Sequence, residues 1–136
     1  MYDLNHLAKH LRSASLKKKD ATFIHLHDDD QLISFEDFFQ NAEKIASALI
    51  SAGIRPGDRV AMQVEKSSSA LELYFGTILA GAGFLPLNTA YVSEEIDFFL
   101  RDARPSIFVC DPSKLNNYTK IAESSGVSHI WTLSAE

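Results

Sequence analysis

Apolar positions along the chain recur with two rhythms, one helical and one of short runs. Leu4, Leu7, Ala8, Leu11 and Ala14 keep helical spacing. They predict a helix over 3–19, capped by Asp3 and closed by Lys17, Lys18 and Lys19, whose charge suits a helix C-terminus. Residues 22–27 (TFIHLH) and 31–34 read as the strands of a hairpin, with Asp28, Asp29 and Asp30 in its turn. Ser34 and Asp37 then fit a capping box. The helix they open carries the stripe Phe35, Phe38, Phe39, Ala42, Ile45, Ala46, Leu49 and Ile50, and it stops at Gly53, which suits a left-handed cap.

The stretch from Gly57 to Tyr91 organises the rest. An apolar run, Val60 to Val64, is followed by a polar loop, Glu65 to Ser69, an amphipathic segment, Ala70 to Ala82, and a second apolar run, Phe84 to Leu87. Run, helix, run predicts a βαβ unit with parallel strands. Ser69 and Glu72 fit a second capping box. Gly81 and Gly83 end that helix, and Pro86, which has no N–H, belongs at a strand end or edge. Beyond this unit, Ser93 is placed to cap a helix over 94–103, and residues 106–110 (SIFVC) read as a third parallel strand. Asp111 and Pro112 open a helix that runs to about Ser125 and ends at Gly126, and residues 127–133 are the last strand. The fold class expected is α/β, a three-layer α/β/α arrangement with a mostly parallel sheet and helices on both faces.

Composition narrows the setting. The chain has 136 residues, one domain's worth, and is 46% hydrophobic and 23% charged. A net charge of −5 offers no basic stripe for nucleic acid, and the lysines at 17–19 are followed by acids. No apolar run is long enough for a membrane span, and the first residues lack the apolar core of a secretory signal. The single cysteine, Cys110, has no partner for an internal disulfide, so a reduced, cytoplasmic setting is expected.

Candidate chemistry is sparse. In open parallel sheets ligands gather beyond the carboxyl ends of the strands. Those ends carry Glu65 to Ser69, Asn88 to Tyr91, and Asp111 to Ser113, none of them a glycine-rich phosphate loop. Gly81 to Phe84 lacks the third glycine of a dinucleotide fingerprint. Ser67, Ser68 and Ser69 read as helix-capping residues, because no flanking glycines make a nucleophile elbow. Lys66 reads as a solvated loop cation. His25 and His27 share a strand face at a spacing that matches no metal-ligand signature, and read as solvent-facing. Cys110, within SIFVC, reads as buried and slow to react. No catalytic, cofactor-binding or metal-binding residue is assigned to this chain.

One set of motifs does carry a resemblance: Ser34-Phe35 with Asp37-Phe38, Gly53 through Arg55-Pro56-Gly57-Asp58-Arg59-Val60-Ala61, Ala80 to Gly83, and Pro86-Leu87-Asn88. Together they resemble the N-terminal part of the adenylate-forming family of acyl-CoA synthetases, coumarate-CoA ligases and luciferases. Val60 to Ser67 and Phe84 to Asp111 look most like malonyl-CoA synthetases. The resemblance implies a two-step ligase. A carboxylate attacks the α-phosphate of ATP, giving acyl-adenylate and pyrophosphate, and coenzyme A then displaces AMP. It also implies Mg²⁺, ATP and coenzyme A as the whole enzyme's cofactors. The family's phosphate loop, magnesium-binding glutamate, ribose-binding aspartate, hinge and C-terminal lysine domain lie downstream of the matched region.

The chain is therefore expected to be a single N-terminal subdomain, residues 1–136, from an engineered or natural truncation. It would be inactive alone, with the later part of the same enzyme as its partner. The alternative is a free-standing α/β domain that binds a ligand or a protein. A response-regulator-like domain is disfavoured, since the aspartate cluster sits in the hairpin turn. The aromatic start of the helix after Ser34, and Ile96, Phe98, Phe99 and Leu100 around the helix after Ser93, predict an exposed apolar patch and a symmetric homodimer.

Overall fold

The computed structural model of the chain describes residues 5–27 and 30–134. The expected cap Asp3, Leu4, and Asp28 and Asp29 of the hairpin turn lie outside them. Helix α1 (His6–Lys17) is instead capped by Asn5, whose side chain accepts from the Ala8 N–H at 3.1 Å. Strands β1 (Thr22–Leu26) and β2 (Gln31–Ser34) pair antiparallel, as the hairpin reading required. Then come α2 (Phe35–Ser51), β3 (Arg59–Gln63), α3 (Ser68–Leu79), β4 (Gly83–Pro86), α4 (Ser93–Ala103), β5 (Ile107–Cys110), a 3₁₀ turn (Pro112–Lys114), α5 (Leu115–Ser124) and β6 (His129–Thr132).

The second sheet is four-stranded and all parallel, in the order β4-β3-β5-β6. Its register explains why short apolar runs form it. Val60 stands beside Phe84 and Ile107, and Ala61 beside Leu85 and Phe108. Successive residues of a strand point to opposite faces. Val60, Val64, Ile107 and Val109 therefore pack with Ala42, Leu49 and Leu73 of α2 and α3, while Ala61 and Phe108 pack with Ile96, Leu100 and Tyr118 of α4 and α5. Two cores, one on each face, make three layers. The connection from β3 to β4 runs through α3 on one face, and the return from β4 to β5 runs through α4 on the other. Steps in opposite directions across a sheet need opposite faces if both crossovers keep one hand.

Three of the helix ends share one cap. Past α2, the Gly53 N–H (φ 97°) bonds to the Ile50 carbonyl and the Ile54 N–H to the Leu49 carbonyl. The same pair of bonds recurs at Gly81 and Ala82 and at Gly126 and Val127. Two expected caps move. Helix α3 is capped by Ser67, which accepts from the Ala70 N–H at 3.1 Å, and not by Ser69. Glu72 is drawn away to the Asn41 amide of α2 at 3.0 Å. Helix α4 is capped at Val92, whose N–H donates to the Glu95 carboxylate, and Ser93 is its first residue.

The phenylalanines of α2 correct a further expectation. Phe38 and Phe39 are 0% and 5% exposed and form no open patch. Their rings meet Phe75 of α3, and Phe23 of β1 closes on Phe35 and Phe38 at centroid distances of 4.6 and 4.8 Å. The hairpin is thus pinned to the helices by aromatic edges, each such pair worth about 0.5–1.5 kcal/mol beyond its buried area. On α4, Ile96 and Leu100 are buried while Phe98 is 63% exposed, so that helix is buried along one stripe and open on the other side.

Helices α2 and α3 pack closely at Gly76. A Cβ placed there would lie 2.7 Å from Ile45 Cγ2 and 2.9 Å from the Ala42 carbonyl oxygen. Gly76→Ala should therefore destabilise the chain by about 1–3 kcal/mol, the usual range for an overpacked core. A urea midpoint equal to that of the parent chain would contradict the close packing.

Candidate functional site

By its strand order the sheet places a crevice between the carboxyl ends of β3 and β5, where the two chain directions part. That crevice is filled by the chain itself. Gln63, fully buried at the end of β3, donates from Nε2 to the carbonyls of Asn88 at 2.8 Å and Tyr91 at 3.0 Å. Lys114 reaches in from the far side of β5 to the Thr89 carbonyl at 3.2 Å. Three carbonyls of one short loop are turned inward, and Tyr91 stacks on Phe99 at 5.0 Å. Among the described residues Gln63 Oε1 has no hydrogen-bond partner. Tyr118, buried beside it, has its phenol pushed up by burial, against a downward pull from the Gln63 side chain.

The open concavity lies on the α3 side of the sheet instead. It is a trough of about 910 Å³. Met62 and Val64 of the β3 run floor it with Phe84 and Pro86 of β4. Leu71 and Tyr74 of α3 form one wall, and Ile24 and Leu26 of the hairpin form the other. Glu65, Lys66, Ser67, Ser68, Asn88 and Thr89 make its polar end. Two of the three strand ends singled out from the sequence, 65–69 and 88–91, thus meet at the trough. Asp111 and Ser113 do not line it. The Ser113 hydroxyl and N–H both donate to Asp111 and hold its carboxyl below the usual carboxylate range, so the pair serves as a turn.

Sequence reasoning missed the hairpin wall and Gln63. The signal for Gln63 was present: one amide inside an otherwise apolar strand, on the face that Ala61 shares. Ile24 and Leu26 join the trough through a contact across some forty residues of chain, which no local pattern reports.

The remaining candidates fall elsewhere. His25 and His27 are both exposed, as expected, and His25 Nε2 lies 2.6 Å from Asp30 Oδ1. Among the described residues no group of three or more His, Cys, Asp or Glu side chains is arranged to hold a metal ion. No described helix is long and apolar enough to cross a membrane. Cys110 is fully buried, and burial, aided by Asp111, pushes its thiol up to about 11.

As chemistry, the trough is an apolar bed with a small polar end. Its charged side chains are one acid, Glu65, and one base, Lys66, and the two loops at that end contain no glycine. These residues flank the N-terminus of α3, which Ser67 caps.

Comparison with known proteins adds the family. The AMP-binding enzyme family matches residues 5–135. MatB from Rhodopseudomonas palustris superposes in its ATP-bound form with a TM-score of 0.88, at 38% identity over 96% of this chain and 25% of MatB. The apo form of MatB gives 0.80, at 42% identity over 85% of this chain and 22% of MatB. The mitochondrial medium-chain acyl-CoA ligase ACSF2 of Danio rerio is 33% identical over 84 residues, 62% of this chain and 14% of its own length. Enterobactin synthase component F of Shigella flexneri is 29% identical over 96 residues, 71% of this chain and 8% of its own length. The chain thus spans a quarter or less of each of these relatives.

Burial and the raised thiol make Cys110 a test of this packing. At pH 8 a thiol of pKa near 11 is thiolate in only about one molecule in a thousand. A thiol reagent should label the native chain far more slowly than the urea-unfolded chain. Equal labelling rates would contradict the burial.

Proposed function

The chain belongs to the AMP-binding enzyme family, and from that premise we propose that it works as the N-terminal part of an adenylate-forming acid–CoA ligase. The acid we assign is a small dicarboxylate of the malonate type. The observation that carries the reading is the superposition on ATP-bound MatB, which takes in 96% of this chain and 25% of MatB. The resemblance of Val60 to Ser67 and of Phe84 to Asp111 to malonyl-CoA synthetases supports the choice of acid.

In this reading the chain is one subdomain, residues 1–136, and its partner is the later part of the same enzyme. ATP, Mg²⁺ and coenzyme A are bound by that later part. The trough's single base and single acid support this division, since phosphoryl transfer rests on concentrated positive charge around the phosphates. The contribution of this chain is a rigid platform. Gln63 and Lys114 tie the loop over 88–91 to two other elements, so that whatever packs on it meets a fixed surface. The reading keeps a cytoplasmic setting, which rests on the lone cysteine, and no nucleic-acid partner, which rests on the net charge of −5.

Two measurements test the proposal. The chain alone should not exchange labelled pyrophosphate into ATP with malonate or any other acid, and exchange would overturn its inactivity. A chimera in which this chain replaces the matched quarter of MatB should fold and exchange pyrophosphate with malonate within about tenfold of MatB, a loss of under about 1.4 kcal/mol. A folded chimera without exchange would overturn the ligase reading.

A further inference from the structure

We infer that residues 88–92 form a strap over the crevice between the ends of β3 and β5, that this strap opens as a unit while the sheet stays folded, and that Gln63 is its latch. The inference concerns the chain by itself and does not rest on the ligase reading. Both ends of the strap are anchored. Leu87 is buried, and its N–H bonds to the Met62 carbonyl of β3 at 2.8 Å. Ile96, in the first turn of α4, is fully buried. Between these anchors the chain rides on the surface. Asn88, Ala90 and Val92 are exposed, and Thr89 and Tyr91 are half-buried.

The backbone of the strap is not tied to what lies beneath it. The Ala90 N–H donates to the Asn88 side chain at 2.9 Å, the Tyr91 N–H to the Asn88 carbonyl at 3.0 Å, and the Val92 N–H to the Glu95 carboxylate at 3.0 Å. These bonds stay within the strap and α4, so lifting the strap breaks none of them. Among the described residues no backbone bond joins 88–92 to β3 or β5. The Tyr91 ring stacks on Phe99, again of α4. Side chains hold the strap down: two bonds from Gln63 Nε2 and one from Lys114 Nζ. A segment with little buried surface and few bonds to its surroundings opens at lower cost than the core does. Gln63 supplies two of the three bonds, and both need its amide. A methionine of similar volume would leave two carbonyls without that donor.

Cys110 lies where the opening can be read. Gln63 and Cys110 are partners across β3 and β5. By alternation both side chains stand on the face that carries Ala61 and Phe108. Cys110 is fully buried, in the cluster against which Tyr91 of the strap packs. Lifting the strap therefore opens a path to the thiol with β3 and β5 still paired.

Labelling of the folded chain with a maleimide tests this. Below the unfolding midpoint, the rate at Cys110 should stay nearly flat as urea is added, because strap opening exposes little new surface. Gln63→Met should speed labelling by about tenfold or more, since the latch is gone. Gly76→Ala, which weakens the whole fold and touches no part of the strap, should leave the rate within about twofold of the parent's. A circular-dichroism melt confirms that each variant is folded. A parent rate that climbs with urea in step with global unfolding would overturn the inference, whether or not either variant folds. So would a folded Gln63→Met chain labelled no faster than the parent, or a Gly76→Ala chain labelled faster by the factor of its lost stability.

Discussion

Strand β3 lies inside the sheet with helices above and below it, so neither of its faces meets water. Val60 and Ala61 are both fully buried although they point opposite ways. Each face must then be roofed by its own apolar helix stripe, and those stripes decide the rest: α2 and α3 on one side, α4 and α5 on the other. The constraint also reaches the end of the strand. Where β3 runs out, a buried position on the α4 side still needs filling, and Gln63 fills it while satisfying two loop carbonyls. A polar side chain inside a core costs heavily when unpaired and little when paired. The amide nitrogen is paired twice, while its oxygen has no partner among the described residues.

This pairing moves the functional surface. Strand ends at a switch of chain direction usually leave a cleft, but here the loop over 88–91 is drawn across it and held by Gln63 and Lys114. The open concavity appears one layer away, where α3 covers β4 only partly and the hairpin stands off as a second wall. The hairpin holds that position because Phe23 is embedded among Phe35, Phe38 and Phe75. The trough therefore depends on an aromatic cluster that lines none of it.

Much of this was legible in the sequence. Every helix and strand after the hairpin announced itself by period and punctuation, because its local apolar pattern and its buried face are the same fact. The glycine caps were legible for the same reason. Caps chosen among several oxygen-bearing neighbours were not. Three serines stand in a row at 67–69, and the choice of Ser67 follows from the extended backbone at that residue, which a sequence does not print. Partners across long stretches of chain were hidden as well. The aromatic start of α2 demanded burial, and pattern alone pointed to an open patch, whereas the ring that covers it, Phe23, belongs to a strand whose own alternation is broken between Thr22 and Ile24. The trough shares this difficulty, since its floor and its far wall come from different sheets.

Pro86 sits on the outer edge of β4, where the missing N–H costs the ladder to β3 nothing. Consider the order in which a ribosome delivers the strands. Strands β3 and β4 emerge as a unit some twenty residues before β5 exists to close the other side of β3. During that interval β3 must keep one edge open for its eventual neighbour, and a nascent sheet open on both sides is a template for the wrong chain. The proline blunts one of the two edges from the moment it is made. The edge better able to recruit a strand is then the one for which the polypeptide itself will shortly supply β5.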